Sequence, residues 1–245
     1  MPPHRKGPEL ELHYSEGNVY YLQGCDSDYP HQHAHAHVVK KFGKNVCQAW
    51  IGARNQKPTA LVALKIARGS SAVKTLEYEA GIYRGALRDL QGKVVPKYHG
   101  LYRTVIDGHT ELGVMILEFC SNSKDSQQME KHEYTRRLML AACKLHQAGV
   151  VHGQLYARHT LEIGQEIRII DFSRATVSHR CVGAVPMLLQ GRGERGCEEL
   201  VWLEEEYGAS ENEDVVAEIL KQRNRNWINS LPAFLNLELA PGRWY

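Results

Sequence analysis

The chain has 245 residues, a formal net charge of +2 and an apolar content of 43%. This apolar content is ordinary for a folded protein, and the nearly balanced charge gives no reason to expect nucleic acid or a membrane surface as a partner. The six cysteines form no CxxC pair, which argues against a disulfide scaffold and a zinc ribbon. No apolar run reaches the length of a membrane span and no signal peptide is recognisable, so we expect an intracellular protein, cytoplasmic or nuclear.

Residues 1 to about 30 contain Pro, Gly, Ser and charges with few apolar positions apart from a short patch at 19–22, and we interpret them as an extension that packs loosely. Four histidines then alternate: His31, His33, His35 and His37. On an extended strand they would share one face, about 6.6–6.8 Å apart. Two interpretations stay open, a surface site for a divalent metal or a polar leader that binds nothing. The second is favoured, because no cluster of cysteines or carboxylates completes a ligand set nearby, although Asp26 and Asp28 are candidate ligands.

Three short β-type runs follow, at residues 38–42, 46–51 and 60–67. The first two are joined at Gly43, in a composition that suits a hairpin turn. A loop that binds phosphate needs glycine at several positions, so that backbone N–H groups can approach the ligand. A lone glycine therefore indicates a hairpin turn more than a phosphate cradle.

The third run places Lys65 in the middle of an apolar strand, which costs free energy unless the ammonium meets an anion. Between residues 73 and 90 apolar side chains recur with the period of a helix, and Glu79 lies on the same face. We therefore expect an ion pair between Lys65 and Glu79. The alternative is a lysine that extends to solvent beside a glutamate at the rim.

The middle of the chain predicts a buried strand at 112–119 and a helix at 130–147. A polar loop at 152–159 follows, and then a short apolar strand at 167–170 leads directly into Asp171.

In this order, from the strand lysine to the Asp-Phe-Ser triplet at Asp171, the motifs resemble the protein-kinase-like superfamily. They resemble more closely the short kinase-like proteins that are abundant in fungi. The resemblance implies an α+β, two-lobed protein-kinase-like fold with an antiparallel-sheet N-lobe and a reduced, mainly helical C-lobe. It implies an N-terminal extension at 1–37, the N-lobe at 38–120, and the C-lobe with a C-terminal tail at 121–245.

The same resemblance implies ATP as the cofactor, with Lys65, Glu79 and Gly43 near its phosphates. The residues of the implied adenine pocket are Leu117, Glu118, Phe119 and Cys120. Asp171 would hold Mg²⁺ or Mn²⁺, and His159 occupies the family's second metal-binding position.

The family's catalytic loop, H-R-D-x-x-x-x-N, reads HGQLYARH here. Gln154 occupies the position of the catalytic Asp, and an amide can orient a hydroxyl but cannot act as an anionic base. His159 replaces the metal-binding Asn, and imidazole is a poor ligand for Mg²⁺, which prefers oxygen. His152 is expected to be structural, bonding to the backbone near Asp171.

Beyond residue 175 the resemblance covers less of the chain. His179, Cys181 and Cys197 can be drawn as a zinc site, but three candidates without a fourth favour ordinary packing cysteines. A short helix is predicted at 198–207.

Two functions stay open. The first is a pseudokinase that can bind ATP but lacks the catalytic Asp and the metal-binding Asn, and that acts through a protein partner or regulation. The second is an active ATP-dependent phosphotransferase, acting on a protein or a small molecule through a non-standard loop. Losing the base alone costs about 10²–10⁴ in rate, and the further loss of the second metal ligand and of the glycine cradle favours the first. A domain without any ligand is a third alternative.

Overall fold

The computed structural model describes residues 9–26, 35–53, 56–121, 129–181 and 197–207. The chain forms two compact units. The first comprises the chain up to Ser121 together with Asp171–Ser173, and the second comprises Asn122–Ile170 and the chain from Arg174 onward. The Asp-Phe-Ser triplet therefore belongs to the first unit, although the chain on either side of it belongs to the second.

Seven strands form a closed barrel in the first unit. They are β1 (Glu9–Ser15), β2 (Asn18–Gly24), β3 (His35–Phe42), β4 (Val46–Gly52), β5 (Ala60–Arg68), β6 (Tyr98–Ile106) and β7 (Thr110–Glu118). Their order is β1-β2-β6-β7-β5-β4-β3, and β3 pairs with β1 to complete the barrel. This closing pair is parallel, with His37 opposite His13, whereas the other neighbouring pairs are antiparallel.

The barrel strands turn one side chain in two toward a common core, as the two-residue period of a strand requires. In β4, for example, Cys47, Ala49 and Ile51 are buried while Trp50 is exposed. Inward side chains from all seven strands join one apolar cluster. Because a fully buried aliphatic side chain contributes about 1.5–3 kcal/mol, this cluster is the main favourable term for the barrel.

The prediction of a two-lobed protein-kinase-like fold was wrong. The strands form a closed barrel of mixed direction instead of an antiparallel N-lobe sheet, and the described residues contain three α-helices instead of a mainly helical C-lobe. The physical reason lies in residues 9–24, which we expected to pack loosely. Leu10, Leu12 and Leu22 are buried in the core, so β1 and β2 insert between β3 and β6 and close the sheet.

The first helix, α1 (Ser70–Arg84), follows β5 and packs against β5, β6 and β7. Its buried apolar side chains are Val73, Leu76, Ala80, Ile82 and Tyr83. Glu79 is buried on the same helix, which confirms the predicted inward position of this charge. The helix ends before the predicted Leu90, and a short 3₁₀ helix follows at Arg88–Leu90.

The described residues of the second unit form two α-helices and a small sheet. Its elements are α2 (Lys131–Gln147), β8 (Thr160–Ile163), β9 (Glu166–Ile169) and α3 (Glu198–Tyr207), with a 3₁₀ helix at Ala157–His159. β8 and β9 pair antiparallel, and α2 packs against β9 and α3. The observed bounds of α2 and α3 agree with the helices predicted at 130–147 and 198–207. In the described part of the chain, no helix combines the length and the apolar character needed to cross a membrane.

Candidate functional site

The first unit contains a cation held between two carboxylates. The Nζ atom of Lys65 lies 2.6 Å from Oε2 of Glu79 and 2.7 Å from Oδ1 of Asp171. Lys65 comes from the middle of β5, where Leu64 and Ile66 on either side point into the barrel core and Lys65 points the other way. The predicted ion pair between Lys65 and Glu79 is therefore present, and Asp171 joins it from a distant part of the chain.

Glu79 has a second role that the sequence analysis missed. Its Oε1 atom accepts a hydrogen bond from the backbone N–H of Phe172 at 3.1 Å. The Phe172 ring is fully buried and packs edge-to-face against Tyr83, with ring centroids 5.5 Å apart. One carboxylate thus binds both the lysine and the backbone next to Asp171. The helical spacing did indicate that Glu79 and Tyr83 lie one turn apart on the same face of α1, where both can contact the same residue, Phe172.

The backbone of Asp171 is left-handed, with φ of 67°. This conformation costs a residue other than glycine on the order of 1–3 kcal/mol, and it persists where the surroundings enforce it. Here Phe172 and Lys65 supply that restraint. The side chain of Asp171 is 34% exposed, whereas that of Glu79 is 1% exposed. Asp171 is therefore the carboxylate of this site that a ligand or ion can reach.

The electrostatics of the site follow from burial and proximity. Burial alone would lower the pKa of Lys65, but the neighbouring carboxylates of Glu79 and Asp171 outweigh it, so the pKa is raised and the ammonium stays charged. Burial raises the pKa of Glu79, although Lys65 opposes this effect. With both carboxylates ionised, the site has one negative charge in excess. Asp171, the more exposed of the two carboxylates, could offer an oxygen ligand of the kind that Mg²⁺ prefers.

The residues predicted to contact the rest of a nucleotide lie at the turn between β3 and β4 and at the end of β7. Gly43 is in that turn with φ of 72°, and a Cβ atom added there would meet nothing within 4 Å. The turn conformation, and not a close approach, therefore requires the glycine. Phe119 stacks on Phe42, with centroids 6.1 Å apart, which connects these two parts of the first unit.

The predicted adenine pocket is partly occupied by contacts within the protein. Leu117 is buried in β7, and the N–H of Glu118 donates to the carbonyl of Lys97 at 2.8 Å. The thiol of Cys120 lies 3.7 Å from the carbonyl oxygen of Glu118. The backbone N–H of Glu118, one of the residues of the implied adenine pocket, is thus already used within the first unit.

The catalytic-loop positions lie in the second unit. His152 is buried, and its Nε2 atom lies 3.0 Å from the carbonyl oxygen of Ile170, which confirms the predicted bond to the backbone near Asp171. His159 uses both ring nitrogens inside the protein. Its Nδ1 is 2.6 Å from the carbonyl of Gln154, and its Nε2 accepts from Arg158 at 3.3 Å. This arrangement argues against His159 as a metal ligand.

Glu199 in α3 anchors the start of this loop, and the sequence analysis did not identify it. Its carboxylate accepts the backbone N–H groups of His152 at 2.9 Å and Gly153 at 2.6 Å. Burial alone would raise the pKa of Glu199, but His146 and the two backbone donors outweigh it and lower the pKa. Gly153 has φ of 75°, and a Cβ atom there would lie 3.0 Å from the carbonyl oxygen of Arg174. Only glycine fits this turn.

The histidine row is only partly described, because His31 and His33 lie outside the described residues. His35 and His37 are on β3, and the ring of His37 stacks on His13 of β1 with centroids 4.1 Å apart. Burial lowers the pKa of His37, and the nearby rings of His13 and His35 lower it further. The described residues do not gather these histidines into a metal-binding group.

Comparisons of the chain with protein-family models and with curated proteins found no match. The kinase-like resemblance, including its fungal branch, rests on the motifs themselves and stays a prediction. The evidence for function is therefore the geometry around Lys65.

Proposed function

We propose that the chain binds a nucleoside triphosphate with a divalent cation at Lys65, Glu79 and Asp171, and that it acts as a pseudokinase. In this proposal the bound nucleotide regulates the binding of a protein partner and its phosphoryl group is not transferred efficiently. The observation that carries the proposal is the position of Lys65 Nζ, within 2.7 Å of two carboxylates of very different exposure.

Each of the three residues has a chemical role in this proposal. The buried carboxylate of Glu79 fixes the lysine. An ammonium has three N–H donors, and since Glu79 and Asp171 take two, the third can donate to a phosphate oxygen. Asp171 reaches solvent and offers an oxygen ligand to Mg²⁺ or Mn²⁺, which would neutralise phosphate charge.

The residues at the catalytic-loop positions support binding without efficient transfer. Gln154 has an amide and no carboxylate, so it can orient a hydroxyl but cannot remove its proton. His159 uses its ring nitrogens for Gln154 and Arg158, and Gly43 is a single turn glycine. Positioning and charge stabilisation supply most of the acceleration in phosphoryl transfer, so residual turnover is compatible with this loop.

A thermal-shift titration with ATP tests the proposal, with and without Mg²⁺, on the wild type and three variants. A nucleotide at about 100 times its Kd should raise the Tm by about 5–10 °C. Lys65→Ala should abolish the shift. Lys74→Ala should leave it unchanged, because Lys74 is an exposed lysine on α1.

The third variant separates the contribution of the metal to the thermal shift from that of the nucleotide. Asp171→Asn leaves Lys65 paired with Glu79, so the protein should stay folded, and its ATP shift should no longer depend on Mg²⁺. The proposal fails if the wild type shows no shift under any condition, or if Lys65→Ala shifts as the wild type does. ATP turnover above background that rises in Gln154→Asp would favour the active phosphotransferase instead.

A further inference from the structure

Four side chains of the second unit converge away from the site around Lys65. His146, His179, Cys181 and Cys197 each offer one ligand atom, and these atoms lie within 4.8 Å of one another. Two imidazoles and two thiols form one of the usual ligand sets of structural zinc sites. The sequence pointed to three of these residues, and His146 supplies the fourth.

The measured distances fit a tetrahedral centre. The Sγ atom of Cys197 lies 3.4 Å from Nδ1 of His146 and 3.4 Å from Nε2 of His179. Zinc bonds of about 2.3 Å to sulfur and about 2.0–2.1 Å to nitrogen place tetrahedral ligands about 3.6 Å apart.

The second nitrogen of His146 has the partner that metal-bound histidines usually have. Nε2 lies 2.8 Å from Oε2 of Glu199, so Nδ1 is the nitrogen that faces Cys197. A carboxylate on the far nitrogen fixes the tautomer and the ring orientation of a ligating histidine. The His146 and His179 rings are nearly perpendicular, at 89°, with centroids 5.2 Å apart. His146 is 3% exposed and Cys197 is 6% exposed, whereas His179 and Cys181 are half-buried, so the centre is shielded from water on the side of His146 and Cys197.

The ligands come from three segments of the second unit. His146 lies in the last turn of α2, and Cys197 directly precedes α3. His179 and Cys181 belong to the segment after the Thr176–Val151 bridge, and the N–H of His179 donates to the carbonyl of Gly149 at 2.9 Å. A metal here would join the end of one helix, the start of another and the segment between them.

We propose that His146, His179, Cys181 and Cys197 bind one Zn²⁺ ion in a closed, four-coordinate structural site. Thiolate ligands in a tetrahedral set with imidazole select zinc over oxygen-preferring cations such as Mg²⁺. With four protein ligands no position is open for water or substrate, so the ion is structural and not catalytic. Binding converts both thiols to thiolates and releases their two protons to solvent.

The zinc site also connects to the catalytic-loop position through Glu199. The carboxylate that contacts His146 accepts the N–H groups of His152 and Gly153. The ion therefore fixes His146, His146 fixes Glu199, and Glu199 fixes the loop that starts at His152. This inference is independent of nucleotide binding, because it rests on residues of the second unit alone.

Metal content of the purified full chain tests the proposal. After dialysis against metal-free buffer, elemental analysis should give about one zinc per chain for the wild type and for Cys25→Ser, a cysteine of the first unit. Cys197→Ser and His179→Ala should contain less than a tenth of that. His179→Cys should retain zinc, because three cysteines and one histidine also form a structural zinc set.

Cobalt substitution keeps the test decisive if the ligand variants fold poorly. The wild-type chain is unfolded in denaturant that contains a chelator and is then refolded with Co²⁺. It should show the intense visible absorption of a tetrahedral cobalt–thiolate site. Added Zn²⁺ should remove this absorption. A wild type that binds neither metal after refolding would overturn the proposal. Equal zinc content in the wild type, Cys197→Ser and His179→Ala would also overturn it.

Discussion

Lys65 stabilises a carboxylate that has almost no access to water. Because Glu79 is 1% exposed, its charge depends on the lysine and on the Phe172 N–H group. Lys65→Met should therefore destabilise the protein by about 3 kcal/mol, the lower end of the range for broken buried pairs, since Lys65 is itself 22% exposed. Urea unfolding at neutral pH measures this loss.

A double variant and a matched lysine serve as controls for this prediction. Adding Glu79→Gln to Lys65→Met removes the stranded charge and should recover a large part of the loss. Lys74→Met changes an exposed lysine on α1 and should stay within about 0.5 kcal/mol of the wild type. Equal unfolding midpoints for Lys65→Met and Lys74→Met would contradict the importance of the ion pair.

Cys25, directly after β2, should react slowly with alkylating reagents. The residue presents surface to solvent, yet burial around its sulfur raises the pKa of the thiol to about 11. Such a thiol is about 0.1% ionised at pH 8, compared with about a quarter for an ordinary cysteine. Its alkylation should be about 100-fold slower in the folded than in the urea-unfolded chain at pH 8, and should accelerate as the pH rises toward 11.

Peptide mass spectrometry can follow Cys25 separately from the other cysteines. The unfolded chain is the internal control, because it contains the same thiol with an ordinary pKa. Similar alkylation rates in folded and unfolded protein at pH 8 would show that the pKa of the thiol is not raised.

At the scale of elements, β1 and β2 close the barrel, because they lie between β3 and β6 in the strand order. Leu12 in β1 is 1% exposed and belongs to the core cluster. Leu12→Ala should cost about 2–5 kcal/mol through lost burial and the cavity left behind. Val19→Ala in β2 removes a side chain that is 38% exposed and should change stability little. Urea unfolding of the two variants compares them directly. Equal unfolding midpoints for Leu12→Ala and Val19→Ala would show that burial of Leu12 in β1 does not stabilise the barrel.

The other element-scale prediction concerns α3, whose Glu199 accepts two backbone N–H groups of the loop that begins at His152. Glu199→Ala should expose these amides, and hydrogen exchange of peptides covering 150–156 should become at least about tenfold faster, which corresponds to about 1.4 kcal/mol. Glu198→Ala is the matched control, because Glu198 is the exposed neighbour in the same helical turn. Unchanged exchange in Glu199→Ala would refute the anchoring role.

At the scale of the whole molecule, the two proposed binding sites are chemically independent. The groups around Lys65 all belong to the first unit, and the proposed zinc ligands all belong to the second. Removing zinc with a strong chelator should speed hydrogen exchange near residues 142–152 and 176–181, while peptides from β5 and α1 keep their protection. Loss of protection throughout the chain after chelation would contradict this independence.

Local patterns in the sequence predicted much of the chain, because they report which face of a segment is buried. The helical spacing around Glu79 and the isolated charge at Lys65 predicted an ion pair that the structure contains. The barrel was missed because its closure depends on pairing between strands distant in sequence, and β1 shows only Leu10 and Leu12 as its inward face. His146 was missed as a metal ligand because the sequence of an amphipathic helix does not show which distant residues a buried histidine contacts in the folded chain.

Closure of the barrel also limits how another protein can bind this unit. An open sheet leaves a row of unpaired N–H and C=O groups on its outermost strand, where a second chain can add a strand or start aggregation. Each of the seven described barrel strands has a neighbour on both sides. A partner that approaches these strands must therefore recognise side chains or loops, because the described barrel strands lack the exposed backbone ladder that promotes edge-to-edge association.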